Sequence, residues 1–146
     1  MINATKSQSL NGLIKKFLIL EIEFKIDIPD SVSIMGDFYS IEEIFLNLIL
    51  NSCQAFKNTL NPVIKVSAYI QDKNTGLAVS VVTITDNGPG VCTKDLERIF
   101  EPFYSTKLSG TGLGLYVVKE LVRRNGAQIK VESKAGVTTF GLEFPR

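Results

Sequence analysis

The sequence predicts a two-layer α/β sandwich, with a mixed, mostly antiparallel sheet of about five strands and helices packed on one face. Three observations carry this expectation. Several short segments alternate polar and apolar residues with the period of a half-buried strand. Two longer segments have the period of an amphipathic or buried helix. Too few connections are long enough for a repeated right-handed strand-helix-strand pattern, which disfavours an all-parallel sheet.

Taken in order, Ser7 to Lys16 predicts a short helix with Leu10, Ile14 and Phe17 on one side. The strict alternation of Glu21-Ile22-Glu23-Phe24-Lys25-Ile26-Asp27-Ile28 predicts a strand with one wet face, ended by Pro29-Asp30. A further short strand is expected at Val32 to Met35, closed by Gly36-Asp37. From Ser40 to Phe56 the pattern is helical, with Ser40 as N-cap and Glu43 completing a capping box. Leu60-Asn61-Pro62 breaks that helix.

Strands at Val63 to Gln71 and Ala78 to Thr85 follow, joined by Asp72-Lys73-Asn74-Thr75-Gly76 as an antiparallel hairpin. A short helix is expected at Lys94 to Ile99. A loop containing Pro102, Gly110 and Gly112 runs into a helix from Leu113 to Arg124, stopped by Asn125-Gly126. Strands at Gln128 to Ser133 and Val137 to Phe144 complete the sheet.

At 146 residues the chain fits one domain, 1–146. Hydrophobic residues make up 45% and charged residues 21%, as in ordinary soluble globular domains. A net charge of +1 supplies no basic field for nucleic acid or for direct contact with a membrane surface. No apolar run reaches the length of a membrane span, and no signal-peptide pattern opens the chain, so a cytoplasmic location is expected. Cys53 and Cys92 lack metal-ligand spacing. The absence of any His excludes a Ser-His-Asp triad, a His-ligated zinc and a phospho-accepting histidine within these residues.

Four motifs carry chemistry. On the long helix, Asn47 and Asn51 share a ridge four residues apart, in a segment otherwise rich in Ile, Leu and Phe. Amides there need partners, and an Asn oxygen suits a hard cation such as magnesium. A buried hydrogen-bond network or a solvent face would explain them equally well. Asp86-Asn87-Gly88-Pro89-Gly90 ends a hydrophobic strand. Its carboxylate could accept from an exocyclic amine, and its glycines admit a ligand, although the same string makes an ordinary turn. Ile99-Phe100-Glu101-Pro102-Phe103-Tyr104-Ser105-Thr106-Lys107 places two Phe around a Pro and a cation at the far end. Ser109-Gly110-Thr111-Gly112-Leu113-Gly114-Leu115 opens a helix with exposed backbone N–H groups, a phosphate cradle that needs no net charge.

In this order and spacing the four motifs resemble the catalytic and ATP-binding domain of two-component sensor histidine kinases, of the Bergerat-fold superfamily. The Phe-Glu-Pro-Phe-Tyr-Ser-Thr-Lys and Gly-Thr-Gly-Leu-Gly-Leu strings are close to the nitrogen-regulation type, and the resemblance covers about Leu10 to Pro145. It implies ATP and Mg2+ as cofactors. Asn51 would be the magnesium ligand, helped by Asn47. Asp86 would bind the adenine amine, with Gly88 and Gly90 shaping the pocket. Phe100 and Phe103 would anchor the ATP lid, and Lys107 would reach the outer phosphates. Gly110, Thr111, Gly112, Leu113, Gly114 and Leu115 would form the cradle. Thr139 would touch adenine through water.

The same resemblance separates kinases from hydrolases. Hydrolysing relatives, and the anti-sigma serine kinases, carry a Glu four residues before the metal-binding Asn, where it can act as general base. Here that position is Asn47, and Glu43 lies one turn too early. An attacking imidazole needs no strong base near neutral pH. Asn47, Asn51 and Lys107 are therefore the expected catalytic residues for transfer to His. The acceptor His and its dimerisation domain would lie elsewhere in a longer protein, with residues 1–9 as the junction and a response regulator downstream. The alternative is a stand-alone anti-sigma-like serine kinase and binding module.

Overall fold

The structure, a computed structural model, describes residues 21–74, 76–107 and 110–146. The helix expected at Ser7 to Lys16 and the junction at residues 1–9 lie outside the described residues. Among the described residues five strands form one sheet: β1 (Glu23–Asp27), β2 (Val63–Lys73), β3 (Leu77–Asp86), β4 (Gln128–Lys134) and β5 (Val137–Pro145). Their order is β1-β2-β3-β5-β4. Only β1 and β2 run parallel; the other three pairs are antiparallel. The mixed, mostly antiparallel sheet of the two-layer sandwich is thus observed.

Three α-helices are present among the described residues: α1 (Phe38–Ala55), a single turn α2 (Thr93–Leu96) and α3 (Gly114–Arg124). A 3-10 turn, Phe56–Asn58, ends α1. Helices α1 and α3 present i, i+4 stripes to the sheet, Ile44-Leu48-Ser52 and Val118-Val122, all fully buried or nearly so. The sheet answers with alternate residues: Ile64 on β2, Val82 and Ile84 on β3, and Phe140, Leu142 and Phe144 on β5. Strand parity therefore decides what faces the helices. Asp86 has the parity of Val82 and Ile84, so it is buried on the helix side although charged.

Several boundaries differ from expectation. Asp37, not Ser40, caps α1: its Oδ2 accepts from Ser40 N at 2.8 Å and from Ser40 Oγ at 2.6 Å. Asp caps as well as Ser does, and starting at Asp37 adds most of a helical turn before Ser40. Val32 to Met35 is not a strand. Its Ser33 carbonyl accepts from Ser80 Oγ at 2.6 Å, so a side chain takes the bond that a ladder would have made. The helix expected at Lys94 to Ile99 shortens to Thr93–Leu96 and continues as turns. All five residues of β1 are exposed, where one wet face was expected. Among the described residues β1 pairs only with β2, and the buried stripes of α1 and α3 pack on β2, β3 and β5 instead.

On the sheet face opposite the helices, Glu143 bridges two lysines. Its carboxylate accepts from Lys130 Nζ at 2.7 Å and from Lys73 Nζ. These hydrogen bonds, Lys130 first, hold the Glu143 carboxyl below its ordinary value. Such a group contributes stability that is full above the ordinary value of 4.5 and is lost as pH falls through the lower folded value. Glu143→Gln is expected to lower the urea midpoint at neutral pH and to flatten the decline on the acid side. Urea melts between neutral and acid pH check this; parallel curves for the two proteins would assign that decline to other carboxylates.

Candidate nucleotide-binding site

A cavity of about 560 Å³ opens between the C-terminal half of α1, the end of β3 and the start of α3. That volume is within the range of small-molecule sites. Asn47, Asn51, Asp86 and Lys107 all line it, although they are spread over 60 positions of sequence.

Asp86 forms the buried end. Its Oδ2 accepts from Ser52 Oγ at 2.7 Å and its Oδ1 from Gly88 N at 3.0 Å. Gly88 belongs to this arrangement through its own backbone, since a Cβ there would lie 2.9 Å from Asp86 Oδ1. Gly88 does not line the cavity itself, whereas Gly90 does. Gly90 has φ +81°, and a Cβ would come within 3.0 Å of Ser133 Oγ. That same hydroxyl accepts from Val91 N at 2.7 Å, which ties the turn after β3 to β4. Ser52 was not anticipated. Its signal was present: it continues the buried Ile44-Leu48 stripe, and a hydroxyl there requires a partner.

The adenine contact assigned to Thr139 is not supported. Thr139 lies on the opposite sheet face, its Oγ1 at 3.0 Å from Thr85 Oγ1. Thr138 is the buried cavity residue, paired with Asp86 across β3 and β5. A shift of one residue along a strand exchanges faces.

On α1, Asn47 Nδ2 donates to the Glu43 carbonyl at 2.9 Å. Its Oδ1 would be 3.3 Å from a Cβ at Gly114, so it stands beside the first residue of α3. Glu43 is exposed and does not line the cavity. Asn51 Oδ1 accepts from Lys107 Nζ at 2.9 Å. Lys107 Nζ also reaches Asn51 O and Gln54 Oε1, each at 3.2 Å. Burial holds the Lys107 ammonium below the usual lysine value, partly offset by the Asp86 carboxylate. A cation is thus already seated on the oxygen expected to bind metal, which is the donor chemistry magnesium requires.

The loop between α2 and α3 is fastened at its base. Tyr104 Oη donates to Asp95 Oδ1 at 2.6 Å, and the Arg98 guanidinium lies 4.3 Å from the Tyr104 ring centroid. Phe100 packs edge-on against Phe140 at 6.4 Å. Phe103 does not anchor through its ring, since the residue is 77% exposed. Its backbone anchors instead: Phe103 N donates to Gly112 O at 2.9 Å, with Phe103 at φ 65°. Gly110, Thr111, Gly112, Gly114 and Leu115 line the cavity; Leu113, the N-cap of α3, does not. Leu113 N donates to Thr111 Oγ1 at 3.4 Å. The first-turn N–H groups of α3 have no intrahelical acceptors by geometry, and the helix dipole favours an anion there.

Residues 36–146 match the family described as histidine kinase-, DNA gyrase B-, and HSP90-like ATPase. The chain is 36% identical over 152 residues to the sensor histidine kinase ZraS of Escherichia coli (strain K12), covering 97% of this chain and 31% of that protein. It therefore spans about a third of that relative's length. The nucleotide-free catalytic domain of histidine kinase ThkA superposes with a TM-score of 0.76 at 25% identity, over 99% of this chain and 93% of that one. Full-length ShkA in complex with AMPPNP superposes with a TM-score of 0.74 at 25% identity, over 95% of this chain and 28% of that one.

Proposed function

The chain belongs to the histidine kinase-, DNA gyrase B-, and HSP90-like ATPase family, and we propose that it moves the γ-phosphoryl group of ATP to a histidine on a separate domain. The observation that carries this reading is the convergence on one cavity of Asp86, Asn51, Lys107 and the glycine-rich start of α3. Asp86 offers a buried acceptor for the adenine amine. The N–H groups from Gly110 to Leu115 cradle the phosphates. Lys107 supplies a cation from the lid to the phosphates. The likeness to a structure that holds an ATP analogue supports nucleotide as the ligand.

Magnesium fits this site, with Asn51 Oδ1 as its protein ligand and Asn47 beside it, and it would neutralise charge on the β- and γ-phosphates. The chain's residues orient the phosphates for in-line attack. An imidazole nitrogen bonds to the γ-phosphorus as the bridging oxygen leaves with ADP, and the imidazole proton passes to solution. Asn47 is an amide and cannot remove a proton, which disfavours activation of water or serine. The acceptor histidine belongs to a dimerisation domain of the same protein, and a response regulator receives the phosphoryl group next. No helix of the described residues is long and apolar enough to cross a membrane. The cytoplasmic placement of this segment is part of the proposal and rests on the likeness to the sensor histidine kinase ZraS.

Calorimetry with Mg·ATP, followed by phosphorylation of a supplied helical hairpin carrying an exposed His, tests the reading. Micromolar binding and an acid-labile phosphohistidine are expected, with little hydrolysis by this chain alone. Absence of binding would remove the nucleotide reading, and an acid-stable phosphoserine on a partner would replace histidine with serine transfer.

A further inference from the structure

We propose that Lys107, held by Gln54, is an internal plug on the metal-binding oxygen of Asn51, and that nucleotide must dislodge it to bind. The inference rests on the ATP reading above and adds Gln54 as a positioning residue.

The Lys107 ammonium has three donors, and three oxygens meet it: Asn51 Oδ1 at 2.9 Å, Asn51 O at 3.2 Å and Gln54 Oε1 at 3.2 Å. All three lie in the last turns of α1, where the helix dipole is negative and favours a cation. The helix carries no basic residue of its own in that last turn. The lid therefore delivers a cation to this helix end from 53 positions away. Lys107 is half-buried there, and the placement is stable because each donor is matched.

This bonding is at odds with the role assigned to the two residues. An ammonium on that oxygen opposes a metal there, because two cations on one acceptor repel each other. An ammonium engaged with Asn51 and Gln54 is also not engaged with phosphate. Arrival of the metal–nucleotide complex must exchange one cation for another at Asn51. The displaced ammonium then faces the phosphates that displaced it. The neutral oxygens of Asn51 and Gln54 suit this exchange. A carboxylate in either place would hold Lys107 more tightly than a competing phosphate could readily reverse.

Gln54 is exposed, so its replacement leaves the buried stripe of α1 intact. In Gln54→Leu the plug loses one of its three acceptors. Two readouts on the 146-residue chain decide the matter. The first is the rate at which an amine-reactive reagent labels Lys107 in the nucleotide-free protein, followed by mass spectrometry. The second is the dissociation constant for Mg·ATP by calorimetry. Faster labelling together with affinity tighter by severalfold is expected. Faster labelling with unchanged or weaker affinity would overturn the plug, because holding the lysine would then cost binding nothing. Unchanged labelling in both Gln54→Leu and Gln54→Ala would overturn it as well, because Gln54 would not be holding the lysine. Failure of the unaltered chain to bind Mg·ATP at all would instead count against the proposed function.

Discussion

Asp86→Asn is expected to weaken Mg·ATP binding by about a hundredfold, close to 2.7 kcal/mol, while leaving the thermal midpoint nearly unchanged. The argument begins with parity. Asp86 follows Val82 and Ile84 on the helix-facing side of β3, so the carboxylate is buried by the fold and not by its own preference. Its two oxygens are held by Ser52 Oγ and Gly88 N. Asn has the same shape. One oxygen remains to accept from Gly88 N, and the new amide can donate to Ser52 Oγ, since a hydroxyl accepts as well as donates. The local fold is therefore conserved. What changes is the group presented to the ligand, because half of the acceptor capacity becomes a donor. Against an exocyclic amine this sets donor against donor in a buried place, where an unmade hydrogen bond is expensive. Calorimetry with Mg·ATP and a thermal melt on the same sample separate the two effects. Equal loss of affinity and of melting temperature would assign Asp86 to the core alone.

The placement of Asp86 was legible because two independent patterns met there: a hydrophobic strand and a glycine-rich turn. Neighbouring residues show why other parts were not. Thr138 could have been found, since Phe140, Leu142 and Phe144 fix the buried parity of β5 and Thr138 shares it. The resemblance points instead to Thr139, which belongs to the other face. The start of α1 was misplaced because Asp37 and Ser40 are both good caps, and a local pattern cannot rank them. Once Asp37 is chosen, its backbone N donates to Asn125 Oδ1 at 2.8 Å, a contact across 88 positions. Gln54 carried no signal at all. Its meaning lies wholly in a contact with Lys107, and no spacing rule reaches across the lid.

The lid is expected to be anchored by the rings of Phe100 and Phe103, and the structure shows one ring and one backbone crossing there, beside the Tyr104–Asp95 bond at the base. Phe100 supplies the ring and Phe103 the crossing. An aromatic residue in a loop is read by default as an apolar anchor. Phe103 breaks that rule by adopting φ 65° with its ring in solvent. The reason is visible only in three dimensions. Its backbone must pass so close to Gly112 that the side chain is turned outward.

That crossing makes Gly112→Ala the second large effect, with a loss of Mg·ATP affinity of about a hundredfold or more. Gly112 sits at φ +69°, which alone costs an L-residue about 1–2 kcal/mol. A Cβ there would lie 2.4 Å from the Phe103 carbonyl carbon and 2.8 Å from its Cα and its oxygen. These are backbone atoms, already fixed by the Phe103 N to Gly112 O hydrogen bond, and no rotamer can relieve the contact. The two segments of the lid must separate, which carries Lys107 away from the phosphates and disorganises the amides ahead of α3. The core lies elsewhere, among Ile44, Leu48, Ile84, Val118 and Phe140, so the melting temperature should fall by only a few degrees. Gly76→Ala is the matched control. It has φ +78° and nothing within 4 Å of its Cβ position, so it carries the same backbone strain without the collision. It should lose a comparable amount of stability and keep full affinity. If Gly112→Ala also keeps full affinity, the lid tolerates an opened crossing, and the phosphate cradle depends on α3 alone.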